Sequence, residues 1–156
     1  MMNNNDPIII IEDDLDDQEL FRECFIELSY GNELHFFMNG QVALDFLNEE
    51  GKDITPFLIL SDINMPKLDG FSLRDKIRMD AELQLRCIPY LFFTTALDQQ
   101  TVKTAYTKSI QGFFVKQVSK NDLKKIITVI MEYWKYCAAP NNFPSTAPTN
   151  ISSQQD

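Results

Sequence analysis

The stretch Phe57-Leu58-Ile59-Leu60-Ser61-Asp62-Ile63-Asn64-Met65-Pro66-Lys67-Leu68-Asp69-Gly70 decides the fold. Its four leading apolar residues show no polar alternation, and such a run makes a strand buried on both faces. Ser61-Asp62 follow at once, so Asp62 stands where the strand stops and solvent begins. Pro66 bars a helix from starting there, and Asp69-Gly70 marks a turn. Asp62 is therefore held on a rigid strand end at the lip of a sheet. A carboxylate in that position serves as a nucleophile, a metal ligand or a solvated cap.

The design repeats on either side. Ile8 to Ile11 form a second unbroken apolar run that ends in Glu12-Asp13-Asp14. Asp14 reads as a solvated loop residue, while Asp16 or Asp17 can cap the helix that follows. In that helix Leu20, Phe21, Cys24, Phe25 and Leu28 recur at helical spacing. Leu34 to Met38 read as a short strand, Asn39-Gly40 as a turn, and Val42, Ala43, Phe46 and Leu47 as the apolar face of a second helix. A third helix over Phe71 to Met79 points Leu73 and Ile77 inward. Ile88-Pro89 open a fourth strand, which ends in Thr94-Thr95. Asp98 to Ser109 form a weakly apolar fourth helix with Val102, Ala105 and Tyr106 on its core face. Gly112 to Val115 make a fifth strand ending in Lys116, and Ser119 caps a fifth helix with Leu123, Ile126, Ile127, Ile130, Met131 and Trp134 on one side.

Strands alternating with helices five times define an α/β fold, a doubly wound five-stranded parallel sheet covered on both faces. No GxGxxG is present, so a dinucleotide fold is not indicated. The 156 residues, 44% hydrophobic, form one domain over residues 1–137 with a Pro/Asn/Ser/Thr-rich disordered tail over 138–156. A net charge of −9 argues against a basic nucleic-acid face. No apolar run reaches membrane-spanning length and no basic n-region opens the chain, so the expected setting is cytoplasmic. Cys24, Cys87 and Cys137 are too scattered for a zinc site or a disulfide framework.

In a parallel sheet all carboxyl-terminal strand ends lie along one edge, where doubly wound folds bind ligands. Here that edge receives Glu12 and Asp13, then Asp62, then Thr94-Thr95, then Lys116. Three carboxylates placed together repel, so either a pKa rises or a cation sits among them. A hard, oxygen-loving ion such as Mg2+ (or Mn2+) suits the set. A calcium loop over Asp13 to Asp17 is disfavoured, because the glycine at the sixth loop position and the closing bidentate glutamate are missing.

With these residues assembled, the chain resembles response-regulator receiver domains over roughly residues 6 to 136. The segment Asp62, Met65-Pro66, Asp69-Gly70 is similar to their phosphoacceptor loop. The resemblance implies the flavodoxin-like strand order 2-1-3-4-5. It casts Asp62 as phosphoacceptor, Glu12 and Asp13 as the acidic pair that holds Mg2+, and Asn64 as the residue whose backbone carbonyl joins the metal. It makes Thr94 the switch hydroxyl, with Thr95 the alternative, Phe113 the switch aromatic and Lys116 the site lysine. One departure is Gln117, where the family usually carries a proline after the lysine, often through a cis bond. Gln117 implies either a trans bond with a shifted loop or a strained cis bond.

The resemblance is to stand-alone receivers, fed by a histidine kinase or phosphotransfer protein. Their output is a downstream partner that reads the fourth helix, fifth strand and fifth helix. Such a domain is not an enzyme beyond its own phosphotransfer and slow autodephosphorylation. A stripe of Val129, Tyr133 and Tyr136 beside the last helix's core face is either partly buried or a partner or dimer surface. The alternative function is a pseudo-receiver, an interaction module that signals without phosphate, for which Gln117 is the one mark. A phosphohydrolase of the haloacid-dehalogenase type would want an aspartate at position 64, where this chain has Asn64.

Overall fold

The computed structural model describes residues 5–117 and 119–138. The expected tail, apart from Ala138, lies outside the described residues. The chain runs β1 (Ile8–Ile11), α1 (Leu15–Glu27), β2 (Leu34–Phe37), α2 (Gly40–Asn48), β3 (Leu58–Ser61), α3 (Gly70–Met79), α4 (Ala81–Leu85), β4 (Tyr90–Thr94), α5 (Gln99–Thr107), β5 (Gly112–Val115) and α6 (Lys120–Lys135). The five strands form one sheet in the order β2-β1-β3-β4-β5, and every pairing is parallel. This is the flavodoxin-like doubly wound architecture.

Why the apolar runs lack alternation is visible in the packing. Ile8, Ile10, Leu58, Leu60, Leu91 and Phe93 face α1 and α6, where they meet Phe21, Cys24, Phe25, Leu123, Ile127 and Met131. Ile9, Ile11, Ile59, Tyr90 and Phe92 face the other way, against Ala43 and Leu47 of α2, Leu73 and Ile77 of α3, Leu83 of α4 and Ala105 of α5. Odd and even positions of one strand thus enter two different cores, because successive side chains alternate across a sheet. β2 and β5, at the edges, are only half-buried.

The expected fourth and fifth helices are α5 and α6, because one short helix, α4, intervenes. Asp80 caps it by accepting from the amides of Glu82 and Leu83, both at 3.0 Å. The α1 cap is Asp14, not Asp16 or Asp17: its Oδ1 accepts from the Asp16 amide at 2.8 Å and the Asp17 amide at 3.1 Å. Asn39 and Gly40 are not a free turn. Asn39 caps α2 through its Oδ1 and the Val42 amide at 3.0 Å. Tyr106, expected on the core face, is 56% exposed; only Ala105 of α5 is buried. The Val129, Tyr133 and Tyr136 stripe is exposed rather than partly buried.

Gly70 fixes how closely α3 approaches β3. A Cβ there would lie 2.1 Å from the Asp62 carbonyl oxygen and 2.9 Å from Ile63 Cα. Both neighbours are backbone on the strand end that carries Asp62, so neither yields easily. Gly70→Ala is expected to destabilise the domain by about 3 kcal/mol. A urea midpoint unchanged from wild type would contradict this close approach.

Candidate functional site

Glu12, Asp62 and Lys116 each sit one position past a strand and are placed by an extension of the sheet ladder. The Glu12 amide donates to the Phe37 carbonyl at 2.9 Å, the Asp62 amide to the Ile11 carbonyl at 3.0 Å, and the Lys116 amide to the Thr94 carbonyl at 2.9 Å. The backbone at these positions is therefore as fixed as the strands. Past Asp62 the chain turns sharply. The Ile63 amide donates to Asp62 Oδ1 at 2.7 Å, and the Gly70 amide donates to the Ile63 carbonyl at 2.8 Å.

Lys116 Nζ lies 2.5 Å from Glu12 Oε2, 2.9 Å from Asp62 Oδ2 and 3.1 Å from Asp17 Oδ2. Glu12 is almost fully buried and Asp62 is 9% exposed, whereas Asp13 is exposed. Carboxylate oxygens of Glu12, Asp13 and Asp62 come within 4.8 Å of one another. This oxygen-only donor set, part buried and part open to solvent, suits a divalent cation of the hard class. Burial pushes the Glu12 carboxyl up to about 7, against the lowering effect of Lys116 and the Asp14 amide. Burial disfavours the Lys116 ammonium, but its hydrogen bonds to Glu12 and Asp62 outweigh that and hold its pKa above the ordinary lysine range.

Thr94 ends β4 and is buried, its Oγ1 accepting from the Ala96 amide at 3.3 Å; Thr95 is exposed. Phe113 pairs in register with Phe92 and is half-buried, the ring centroids 6.5 Å apart. Asn64 is exposed, two residues past Asp62. No peptide bond is cis among the described residues, so Lys116-Gln117 is trans, and Lys116 still reaches both acids.

Two contributors escaped the sequence reading. Asp17 is a third carboxylate on Lys116, presented from the first turn of α1. Gln18 is buried, and its Nε2 donates to the Glu12 carbonyl at 2.7 Å and to Met38 Sδ at 3.1 Å. Glutamine at a buried helix position beside the acidic loop was the available signal.

A parallel five-stranded domain with acids after β1 and β3 and an ammonium after β5 defines the receiver class of signalling domain. Comparison with known proteins agrees: the model of the response regulator receiver domain matches residues 8–128, and the chain belongs to that family. It is 30% identical over 138 residues to the "Probable methanogenesis regulatory protein FilR2" of Methanothrix harundinacea, covering 86% of this chain and 88% of that one. It is 28% identical over 130 residues to the response regulator Rcp1 of Synechocystis, covering 81% and 87%. Among solved structures, the phosphorylated cyanobacterial phytochrome response regulator RcpA superposes with a TM-score of 0.78 at 25% identity, covering 87% of this chain and 99% of that one. The Mn2+-bound form of Rcp1 gives 0.75 at 27% identity, covering 86% and 99%. The chain is thus a response regulator receiver domain of two-component signalling. Receivers of this family work with histidine kinases or phosphotransfer proteins and with downstream partners. No helix among the described residues is long and apolar enough to cross a membrane.

Proposed function

We propose that this chain is a phosphorylation switch in which Asp62 accepts a phosphoryl group from a phosphohistidine. The observation that carries the reading is the Lys116 ammonium bridging Glu12 and Asp62 beside the exposed Asp13. The Asp62 carboxylate attacks phosphorus, the O–P bond forms as the P–N bond breaks, and the imidazole leaves and takes up a proton. Lys116 neutralises one phosphoryl oxygen, and Thr94 donates its hydroxyl to another. Glu12, Asp13, Asp62 and the Asn64 backbone carbonyl would hold Mg2+, or Mn2+. The bound ion supplies charge neutralisation on the incoming phosphoryl group.

Phosphorylation draws Thr94 towards the new anion and lets Phe113 turn inward. That biases the face made by α5, β5 and α6, where a downstream partner or a second copy binds. Exposed Val129, Tyr133 and Tyr136 support that assignment. The chain's catalysis is limited to its own phosphotransfer and slow autodephosphorylation, in the cytoplasm, with no nucleic acid or membrane partner. Gln117, the feature that favoured a phosphate-independent interaction module, leaves Lys116 within reach of both acids. The test is intact mass after incubation with acetyl phosphate. The chain gains one phosphoryl group with Mg2+ and none in excess chelator. No gain from acetyl phosphate or from a phosphorylated histidine protein would favour the interaction-module reading.

Metal binding carries a pH signature. Glu12 must lose its proton to ligate, and its carboxyl is raised to about 7. Mg2+ affinity, measured by calorimetry, is expected to fall about tenfold between pH 7.5 and pH 6. Without metal the sign for stability is also set. The folded Glu12 holds its proton from about pH 4.5 up to about 7, where the unfolded one has lost it. Its contribution therefore favours folding at low pH and is lost as pH rises through that window. A flat Mg2+ affinity across that range would show that Glu12 is not a ligand.

A further inference from the structure

A second built cavity lies far from the carboxylates. It occupies about 440 Å3 between α3, α4, the entry to β4 and the end of α6. Pro89 and Ile88 line it, and these precede β4, so it opens at the amino-terminal edge of the sheet, whereas Asp62 and Lys116 sit at the carboxyl-terminal edge. Arg74 and Arg78, one helical turn apart on α3, both line it. Among the described residues no aspartate or glutamate does, although the chain has 23 acids and a net charge of −9.

Arg74 is held rigidly. It is 8% exposed, its Nε donates to the Lys108 carbonyl at 3.0 Å and its Nη2 to the Ser109 carbonyl at 2.7 Å. Those carbonyls position the guanidinium without neutralising it. Among the described residues no carboxylate forms an ion pair with Arg74 or Arg78, whereas Arg22 has Glu19 at 3.7 Å. Burial lowers the Arg74 pKa and the Arg78 charge lowers it too, against the raising effects of Tyr90, whose ring lies 5.2 Å from the guanidinium, and of Asp75, which is itself paired with Lys108 at 2.8 Å. A buried charge of this kind is costly unless a counter-charge completes it. Ser109 and Gln111 add polar groups, and Trp134 adds a broad aromatic surface.

We propose that this cavity binds a small organic phosphate carrying a flat ring, of the nucleoside monophosphate class. The Arg78 guanidinium fork, with the Arg74 charge one turn away, matches the geometry and charge of a phosphate dianion. Trp134 and the apolar wall of Ile77 and Pro89 match a planar base. The volume falls in the range of small-molecule sites, about 300–1,000 Å3. Because Arg74 also grips the carbonyls that follow α5, an occupant there bears directly on the segment joining α5 to β5.

Trp134 is the only tryptophan of the chain, so its fluorescence comes from a single residue that lines this cavity. The full chain is titrated with GMP, AMP and guanosine, with calorimetry as a second measurement. Saturable change with at least one of the two nucleotides is expected, weakened about tenfold or more by Arg78→Ala, because a charge-assisted contact is removed. Arg78 is exposed, so this variant should fold, which circular dichroism checks. Guanosine, lacking the phosphate, should bind about tenfold more weakly than GMP if GMP is the ligand. Absence of saturable binding by both nucleotides overturns the proposal. So does an Arg78→Ala variant that responds like wild type.

Discussion

Asp62→Asn is expected to gain no phosphoryl group under conditions in which the wild-type chain becomes singly phosphorylated. Asparagine keeps the shape of the side chain, so the Ile63 amide at 2.7 Å still finds an acceptor in its Oδ1. What is lost is the anionic nucleophile. A neutral amide forms no stable acyl phosphate, so the rate should fall by about 10³-fold or more. The variant should remain folded, because removing one carboxylate also relieves its repulsion with Glu12, which the Asp62 charge helps to push up. The decisive readout is intact mass with acetyl phosphate and Mg2+, followed by peptide mapping of the wild type. Phosphate retained by the variant at wild-type level would place the acceptor elsewhere and remove the basis of the proposed function.

The second large effect belongs to Lys116. Its side chain is only 11% exposed, and its ammonium sits among the carboxylates of Glu12, Asp17 and Asp62. Lys116→Met keeps the aliphatic bulk and deletes the charge, leaving buried acids uncompensated. Breaking a buried ion pair from one side costs about 3 kcal/mol. That loss is expected at pH 7.5 in chelator, measured by urea unfolding. It should shrink when Mg2+ is added, since a bound cation replaces the missing charge. It should also shrink at pH 5, where Glu12, raised to about 7, carries its own proton. The same variant should transfer phosphate poorly even with Mg2+, because one phosphoryl oxygen loses its counter-charge. A variant as stable as wild type in chelator and as fast in phosphotransfer would mean that Lys116 is a surface lysine with no part in the site.

Much of this was legible along the chain because burial on two faces and burial on one leave different sequence patterns. Ile8 to Ile11 and Phe57 to Leu60 read as central strands since no position in them can tolerate a polar side chain, and β1 and β3 are flanked by strands on both sides. The strand-to-acid junctions were equally plain. A parallel sheet gathers all its carboxyl-terminal ends, so Glu12, Asp13, Asp62, Thr94 and Lys116 could be assigned to one edge without any coordinates.

Tertiary structure decided what depends on distance between segments far apart in the chain. Asp16 or Asp17 was the expected cap of α1, because acids spaced one or two residues apart look alike along the chain. Asp14 takes that role, and this frees Asp17 to face Lys116, 99 residues away. The buried setting of Arg74 had no local signal either, because its partners are carbonyls of Lys108 and Ser109 on the other side of β4. Tyr106 followed helical spacing but stayed exposed, since α5 contributes only Ala105 to the buried core. The sequence by itself determined the alternation of elements, the strand order through a family resemblance and the edge that carries the acids. These are set by residue type and by period. The pairing of Lys116 with three carboxylates, the trans bond to Gln117 and the arginine-lined cavity arose only in three dimensions, where packing chooses among local options of nearly equal energy.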